Sequence, residues 1–233
     1  MPRFRFHAEL DDLLRPELRG RVFDHRCAES ATAKHAIEAL GVPHTEVGLV
    51  VIDGRSVGLD HLLRDADSLD VYPAAPHEAV AGEPPPRFLA DAHLGGLARR
   101  LRLLGFDTEL AGDASDRTLA GVADGDARIL LSRDRELLKH RRVVRGRYVR
   151  ALDTDGQLRE VVRHFTLRGR MRPFTRCLEC NAPLRQADRR EVADRVPPRI
   201  AAGQQAFTLC TGCRRVYWQG SHWQRLRALV DSL

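Results

Sequence analysis

The chain has 233 residues, enough for one large domain or for two or three small ones, and 43% of them are hydrophobic, which excludes global disorder. Its net charge of +6 and pI near 9.5 come mostly from arginine, whose planar donor fork suits phosphate, although a GC-rich coding sequence leaves the same bias. No apolar run approaches the roughly 20 residues that span a bilayer, and MPRFRFHAELDD lacks the apolar core of a signal peptide, so a cytoplasmic protein without a membrane partner is expected.

Residues 1 to about 80 open with alternation in RFRFHAEL, continue through the helix-like TAKHAIEAL and end with the strand-like GLVVIDG and DSLDVYP. That order predicts a small α+β unit. AAPHEAVAGEPPPR follows without periodicity, and Pro84-Pro85-Pro86 forbids a helix, so a linker over 81–86 separates this unit from the next.

From Arg87 the pattern alternates: strand RFLAD, helix 93–104, strand FDTEL, a helix over about 116–124, strand ARILLS, a short helix 134–140, strand YVRAL and helix 157–165. Strands alternating with helices predict parallel βαβ units, placing this domain over 87–168 in the α/β class. In helix 93–104 Leu94, Leu97, Ala98, Leu101 and Leu104 share one face, while Arg99, Arg100 and Arg102 are expected to point away from it.

Beyond Arg168 the composition shifts, and residues 169–233 hold too little apolar material for a large core, so a staple is expected. Two C-x-x-C pairs, Cys177/Cys180 and Cys210/Cys213, supply four thiolates, which in a reducing compartment points to tetrahedral Zn²⁺ with no site left open for catalysis. The 29 residues between Cys180 and Cys210 exceed the usual ribbon spacing, and VPPRIAAGQQ within them suggests a long hairpin. Redox chemistry is the lesser alternative, since neither pair opens a helix that would activate a thiolate. Trp218 and Trp223 are expected to pack the ribbon rather than stack on bases; His222 holds backbone or touches phosphate, and Cys27 reads as a small buried apolar residue.

In an open parallel sheet, ligands bind outside the carboxyl ends of the strands. Asp91 follows the first strand there, Asp134 the third, and the loop after the second carries Asp113 and Asp116. Clustered carboxylates repel unless a cation neutralises them, and hard oxygens select Mg²⁺ or Mn²⁺, an arrangement suited to phosphodiester hydrolysis. Each acid also has an ordinary reading: Asp113 and Asp116 as turn or cap residues, Asp134 as a helix cap, Glu136 as a solvated helix residue. Arginines of helix 93–104 and the run RRVVRGRYVR are placed to hold a polyanionic backbone.

FLADAHLGGLARRLRLLGFDTEL followed by ARILLSRDREL closely resembles the Mut7-C RNase domain, a PIN-like nuclease module; RCLECNAPL with CTGCRRVYWQGSHW looks like the zinc ribbon that follows it in that family. The front, RFRFHAEL through DSLDVYP, is similar to the ubiquitin-like β-grasp unit often fused to it. The resemblance implies a PIN-like parallel-sheet domain preceded by a β-grasp domain (1–80) and followed by a zinc ribbon (169–233). It implies a divalent-metal-dependent ribonuclease in which Asp91, Asp116 and Asp134 bind Mg²⁺ or Mn²⁺, with Ser132 in the hydroxyl position of the S/T-R-D motif. Arg99, Arg100 and Arg133, with Ser132, are the expected RNA-binding residues. PIN nucleases commonly carry a fourth acid, which nothing here matches clearly, Asp153 being the weak candidate. An RNA-binding adaptor that has lost its chemistry is therefore the alternative. A receiver-type phosphoacceptor would need a lysine at a later strand end, and Lys139 lies inside a helix. Sulfur-carrier chemistry is not expected of the β-grasp, because no free Gly-Gly terminus follows it.

Overall fold

The computed structural model describes residues 1–77, 82–112, 125 and 127–233. The helix expected over about 116–124 lies outside the described residues, as do Asp113 and Asp116. The chain divides into two compact units that do not follow chain order: Met1–Pro76 groups with the described part of 113–149, and the described part of 77–112 groups with Arg150–Leu233.

In the first unit, β1 (Arg3–Phe6), β2 (Val22–Asp24), β3 (Val47–Ile52), β4 (Arg55–Val57) and β5 (Ser68–Pro73) form one sheet in the order β2-β1-β5-β3-β4. β1 and β5 run parallel and the remaining neighbours antiparallel. The period of two in β1 sends Phe4 and Phe6 into the core, where they meet Ile37 of α1 (Ala33–Ala39), a helix started by Thr32 accepting the His35 N–H at 3.2 Å. β2 and β4, three residues each, escape the sequence pattern because they are too short to show a period. Cys27 packs against this core, and burial pushes its thiol pKa up.

The same unit contains a parallel βαβ turn: β8 (Ile129–Ser132), α3 (Arg135–Lys139) and β9 (Gly146–Tyr148), with Leu130 opposite Gly146 and Ser132 opposite Tyr148. The strand expected at YVRAL therefore begins two residues earlier, in a segment whose central Arg147 hides its strand character from a hydropathy pattern. Arg147 is buried, with its guanidinium 3.2 Å from Glu46 and 3.6 Å from Glu9. Glu46, at 0% exposure, also accepts the Tyr148 N–H at 2.7 Å. His44 donates from Nε2 to the Val143 carbonyl at 2.8 Å while its Nδ1 lies 2.7 Å from Glu38 Oε1, and Arg135 donates to the Leu13 carbonyl at 2.7 Å. The β-grasp and β8–α3–β9 are thus joined by buried charge as well as by apolar packing.

In the second unit β6 (Phe88–Ala90) pairs parallel with β7 (Thr108–Leu110) around α2 (Gly95–Leu103). Leu97, Ala98 and Leu101 are fully buried on the predicted face, and Phe88 meets Phe106 and Phe165 edge-on, with centroids 6.1 and 5.5 Å apart. Gly105 ends α2 at φ +92°, and the Arg172 carbonyl passes where a side chain would sit, so only glycine fits. α4 (Thr154–His164), started by Asp153, packs Leu158 and Val161 inward.

The ribbon is the antiparallel sheet β10 (Leu184–Ala187), β11 (Phe207–Cys210) and β12 (Val216–Trp218). β10 and β11 are the expected hairpin, but the segment between them is largely helical: Val192 of α5 (Arg189–Val192), Ile200 of α6 (Pro198–Gly203) and Val196 between them pack with Phe207 and Trp218. That insert supplies a small core of its own, which accounts for the long spacing. Trp218 and Trp223 both pack, the latter 5.1 Å from Phe174, as expected of them; α7 (Ser221–Asp231) carries Trp223, and His222 is exposed.

Candidate functional site

β6 is buried at every residue, and Asp91 continues it at 8% exposure. Its carbonyl accepts the Leu94 N–H at 2.8 Å, starting a short 3-10 turn, but its carboxylate takes no part in capping that turn. Burying a carboxylate costs free energy that a solvent-facing loop acid does not pay, so Asp91 is not simply a solvated loop acid.

β8 is likewise buried throughout. Ser132, at 0% exposure, accepts the Asp134 N–H at 2.9 Å through its hydroxyl. Asp134 is exposed, and its Oδ1 accepts the N–H groups of Glu136 (2.8 Å) and Leu137 (3.3 Å). Asp134 is therefore a helix cap, and the capping bonds fix the direction of its carboxylate at the strand end. Ser132 positions Asp134 from inside the protein. Asp153 caps α4 through the Gly156 N–H at 2.8 Å, and that bond holds its carboxyl below the usual carboxylate range. Glu136 is exposed and pairs with Lys139 at 2.7 Å, as a solvated helix residue does.

The arginines divide sharply. Arg99 is exposed and 3.3 Å from Glu179; Arg100 is 3.3 Å from Asp155; Arg133 donates to the Val149 carbonyl at 3.2 Å. Arg102 corrects in part the expectation that the arginines of helix 93–104 hold a polyanion: at 5% exposure it donates to the carbonyls of Thr108 (2.8 Å), Leu178 (3.0 Å) and Glu179 (2.7 Å). The run RRVVRGRYVR is also corrected in part, since its Arg147 is buried among carboxylates and cannot meet a phosphate.

The four ribbon cysteines come together. Cys177 Sγ is 3.6 Å from Cys213 Sγ, Cys180 Sγ is 3.3 Å from Cys210 Sγ, and all four sulfurs lie within 4.8 Å of one another. A tetrahedral Zn–S length of ~2.3 Å places sulfurs about 3.8 Å apart, so the cluster fits such an ion without rearrangement. Protonation is uneven. Burial raises the Cys180 thiol, but the N–H of Ala182, the Cys210 thiol and the N–H of Cys213 outweigh it and bring the pKa to about 6. Burial and the Cys180 contact push Cys210 up to about 12. Four thiols this close cannot all ionise without a cation. Tyr217 lies beyond Cys177: its hydroxyl accepts the Leu178 N–H at 3.2 Å and sits 3.1 Å from Cys177 Sγ, which leaves its proton to donate to sulfur. Gly212 leaves room for its own N–H to reach Cys210 Sγ at 3.3 Å, where a Cβ would meet Ala182.

The first knuckle is fastened to β7 and α2. Asn181 accepts the Thr108 N–H at 3.1 Å and donates to Asp107 at 2.8 Å, beside the Arg102 bonds to Leu178 and Glu179. The sequence reading missed Arg102, Asn181 and Tyr217. Asn directly after the second cysteine was the available signal, since Asn tolerates the φ of +68° it adopts.

Residues 86–230 match the family model of the Mut7-C RNAse domain. The chain belongs to the Mut7-C RNAse domain family. Residues 2–78 match the family model described as Mut7-C ubiquitin. No curated protein and no solved structure matches the chain. The Mut7-C match runs without a break from the Asp91 strand through all four cysteines, so the ribbon is part of the family module, and a nuclease-type function follows for it. Among the described residues the four cysteines are the only group of three or more ligating side chains gathered closely enough for one ion, and they can hold a metal such as zinc. None of the described helices is long and apolar enough to cross a membrane.

Proposed function

We propose that the protein is a divalent-metal-dependent ribonuclease. Asp91, Asp116 and Asp134 are the metal-binding and catalytic acids, Zn²⁺ on the four cysteines is structural, and Arg99, Arg100 and Arg133 hold the RNA, with Ser132 orienting Asp134. The observation that carries this reading is the burial of Asp91 at the carboxyl end of a strand within a matched Mut7-C RNAse domain. Hard carboxylate oxygens are the right donors for Mg²⁺ or Mn²⁺, and two of the three proposed acids are described, each where a strand ends. A bound cation would supply Lewis-acid polarisation of a phosphoryl oxygen and an acidified water. The chain's own contribution is fixed geometry: the capping bonds to Glu136 and Leu137 and the Ser132 hydroxyl hold Asp134 in one orientation, and β6 holds Asp91 out of bulk solvent. A cytoplasmic setting fits both the RNA substrate and reduced thiolates.

A second reading, an RNA-binding adaptor with a PIN-like fold and weak or no chemistry, is favoured by one observation: Asp134 and Asp153 both have ordinary work as helix caps. Labelled mixed-sequence RNA incubated with zinc-loaded protein, with or without added Mg²⁺ or Mn²⁺, separates the two. The nuclease reading expects cleavage only with added metal. RNA bound but uncut under every metal would sink it in favour of the adaptor.

A further inference from the structure

Charge is distributed unevenly along the chain. Residues 169–233 contain 12 arginines, no lysine and 5 acidic residues, a net of +7, while residues 1–168 contain 26 basic and 27 acidic residues, a net of −1. The ribbon segment therefore carries all of the chain's excess positive charge. Four thiolates with one Zn²⁺ subtract 2, leaving +5.

Geometry concentrates that charge. Glu191 of α5 is the shared partner of two arginines from different elements: Arg185 of β10 makes a close ion pair with it, and Arg214 of the second knuckle lies 3.9 Å away. The Glu191 carboxyl is held below its usual range first by Arg185, with Arg214 and Arg195 adding to the field. One acid is thus surrounded by three cations. Arg190, Arg195 and Arg199 are exposed on the helical insert and form no ion pair among the described residues, unlike Arg99 and Arg100.

Arg214 is also held in a backbone conformation that its side chain disfavours. The residue after each knuckle's second cysteine is left-handed, Asn181 at φ +68° and Arg214 at φ +61°. Asn suits that conformation and Arg does not, so Arg214 occupies its place against local preference. Arg214→Asn would relieve that strain, so substitution there separates a role in binding from a role in the fold.

We propose that the zinc ribbon is the principal RNA-anchoring surface of the protein, with Arg190, Arg195 and Arg199 of the insert and Arg214 of the second knuckle contacting the phosphate backbone. The proposal rests on the ribonuclease reading for the identity of the polyanion. The anchoring module is itself fastened to β7 and α2 by Asn181 and Arg102, and anchoring there assigns substrate capture to residues other than the acids, which carry the opposite charge.

The test uses the full, zinc-loaded chain and a fluorescent RNA oligonucleotide, with anisotropy followed across a salt series without Mg²⁺ or Mn²⁺. Arg190→Gln/Arg195→Gln/Arg199→Gln should lower the salt slope by about 2, at roughly 0.7 per phosphate, and weaken binding about ten- to a hundredfold at 0.1 M salt. Arg15→Gln/Arg21→Gln/Arg55→Gln removes the same charge from exposed positions in the β-grasp and should change neither quantity appreciably. Arg214→Asn should weaken binding while raising the thermal midpoint and retaining zinc, a pairing that a purely structural residue would not give. Unchanged binding by the ribbon triple, equal losses in both triples, or poly-glutamate bound as tightly as RNA would overturn the proposal. If the ribbon triple binds normally while the parent cleaves RNA with added metal, the anchoring proposal fails and the ribonuclease reading stands. If binding depends on the ribbon but no metal produces cleavage, the anchoring proposal stands and the ribonuclease reading fails.

Discussion

Asp134 has a capping role and a proposed metal-binding role that substitution can separate. As a cap it accepts two N–H groups, and Asn caps as well as Asp does, so Asp134→Asn should leave stability nearly unchanged while removing the charge that a cation needs. Asp134→Ala loses both and should cost about 1 kcal/mol besides, measurable by urea denaturation. Asp153 gives a contrasting expectation. Its folded-state pKa is depressed by the Gly156 N–H, so its contribution to stability is present above the ordinary carboxyl pKa and lost as pH falls through the folded value. Asp153→Asn should therefore flatten the acid limb of a stability-against-pH curve, with cleavage near the parent rate if Asp153 is only a cap. The sequence made Asp91 and Asp134 legible as candidates because strand-to-helix junctions are visible in hydropathy. It concealed Arg102 and Arg147, because nothing in composition tells a buried arginine from a solvated one; only the carbonyls and carboxylates contributed by distant segments decide it.

Elements were legible where they were long or periodic. α2 and its apolar face, the β6–α2–β7 alternation, the β8–α3 junction and the cysteine knuckles all follow from the pattern. β9 and the helical insert of the ribbon do not, the first because Arg147 interrupts its apolar run, the second because VPPRIAAG reads as a turn until Val192, Val196 and Ile200 find Phe207. The attachment of the first knuckle to α2 belongs to this scale. Replacing Arg102 by Met leaves the Leu178 and Glu179 carbonyls without their charged donor and should cost about 1–3 kcal/mol. The same change should hasten zinc loss to a chelator, and retention at the parent rate would show that the knuckle holds itself without α2. Zinc removal in turn should loosen β7, seen as faster amide exchange at Thr108, whose N–H is bound by Asn181.

For the whole molecule, the ubiquitin-like region is packed as a structural partner rather than carried as a tethered module. Glu46, wholly buried, meets Arg147 and the Tyr148 N–H of β9. Arg147→Met strands that charge and should destabilise the first unit by roughly 3–5 kcal/mol, with Glu46→Gln/Arg147→Met recovering part of the loss. Additive single effects would mean that the pair is not coupled. Such packing makes the β-grasp a brace for β8 and β9, the strands that precede Asp134 and Asp153. The chain order of the modules was readable from composition shifts and motifs, whereas this grouping of distant segments into compact units rests on side chains such as Glu46 that look like ordinary surface acids in sequence.

The most direct measurement is the cleavage rate of labelled RNA by the zinc-loaded protein in saturating Mn²⁺, compared with Asp91→Asn and Asp134→Asn of verified fold. The account predicts a loss of at least about a hundredfold in each variant, since each removes a charge from the metal-binding set. A parent-like rate in either would contradict the proposed role of these acids in the chemistry.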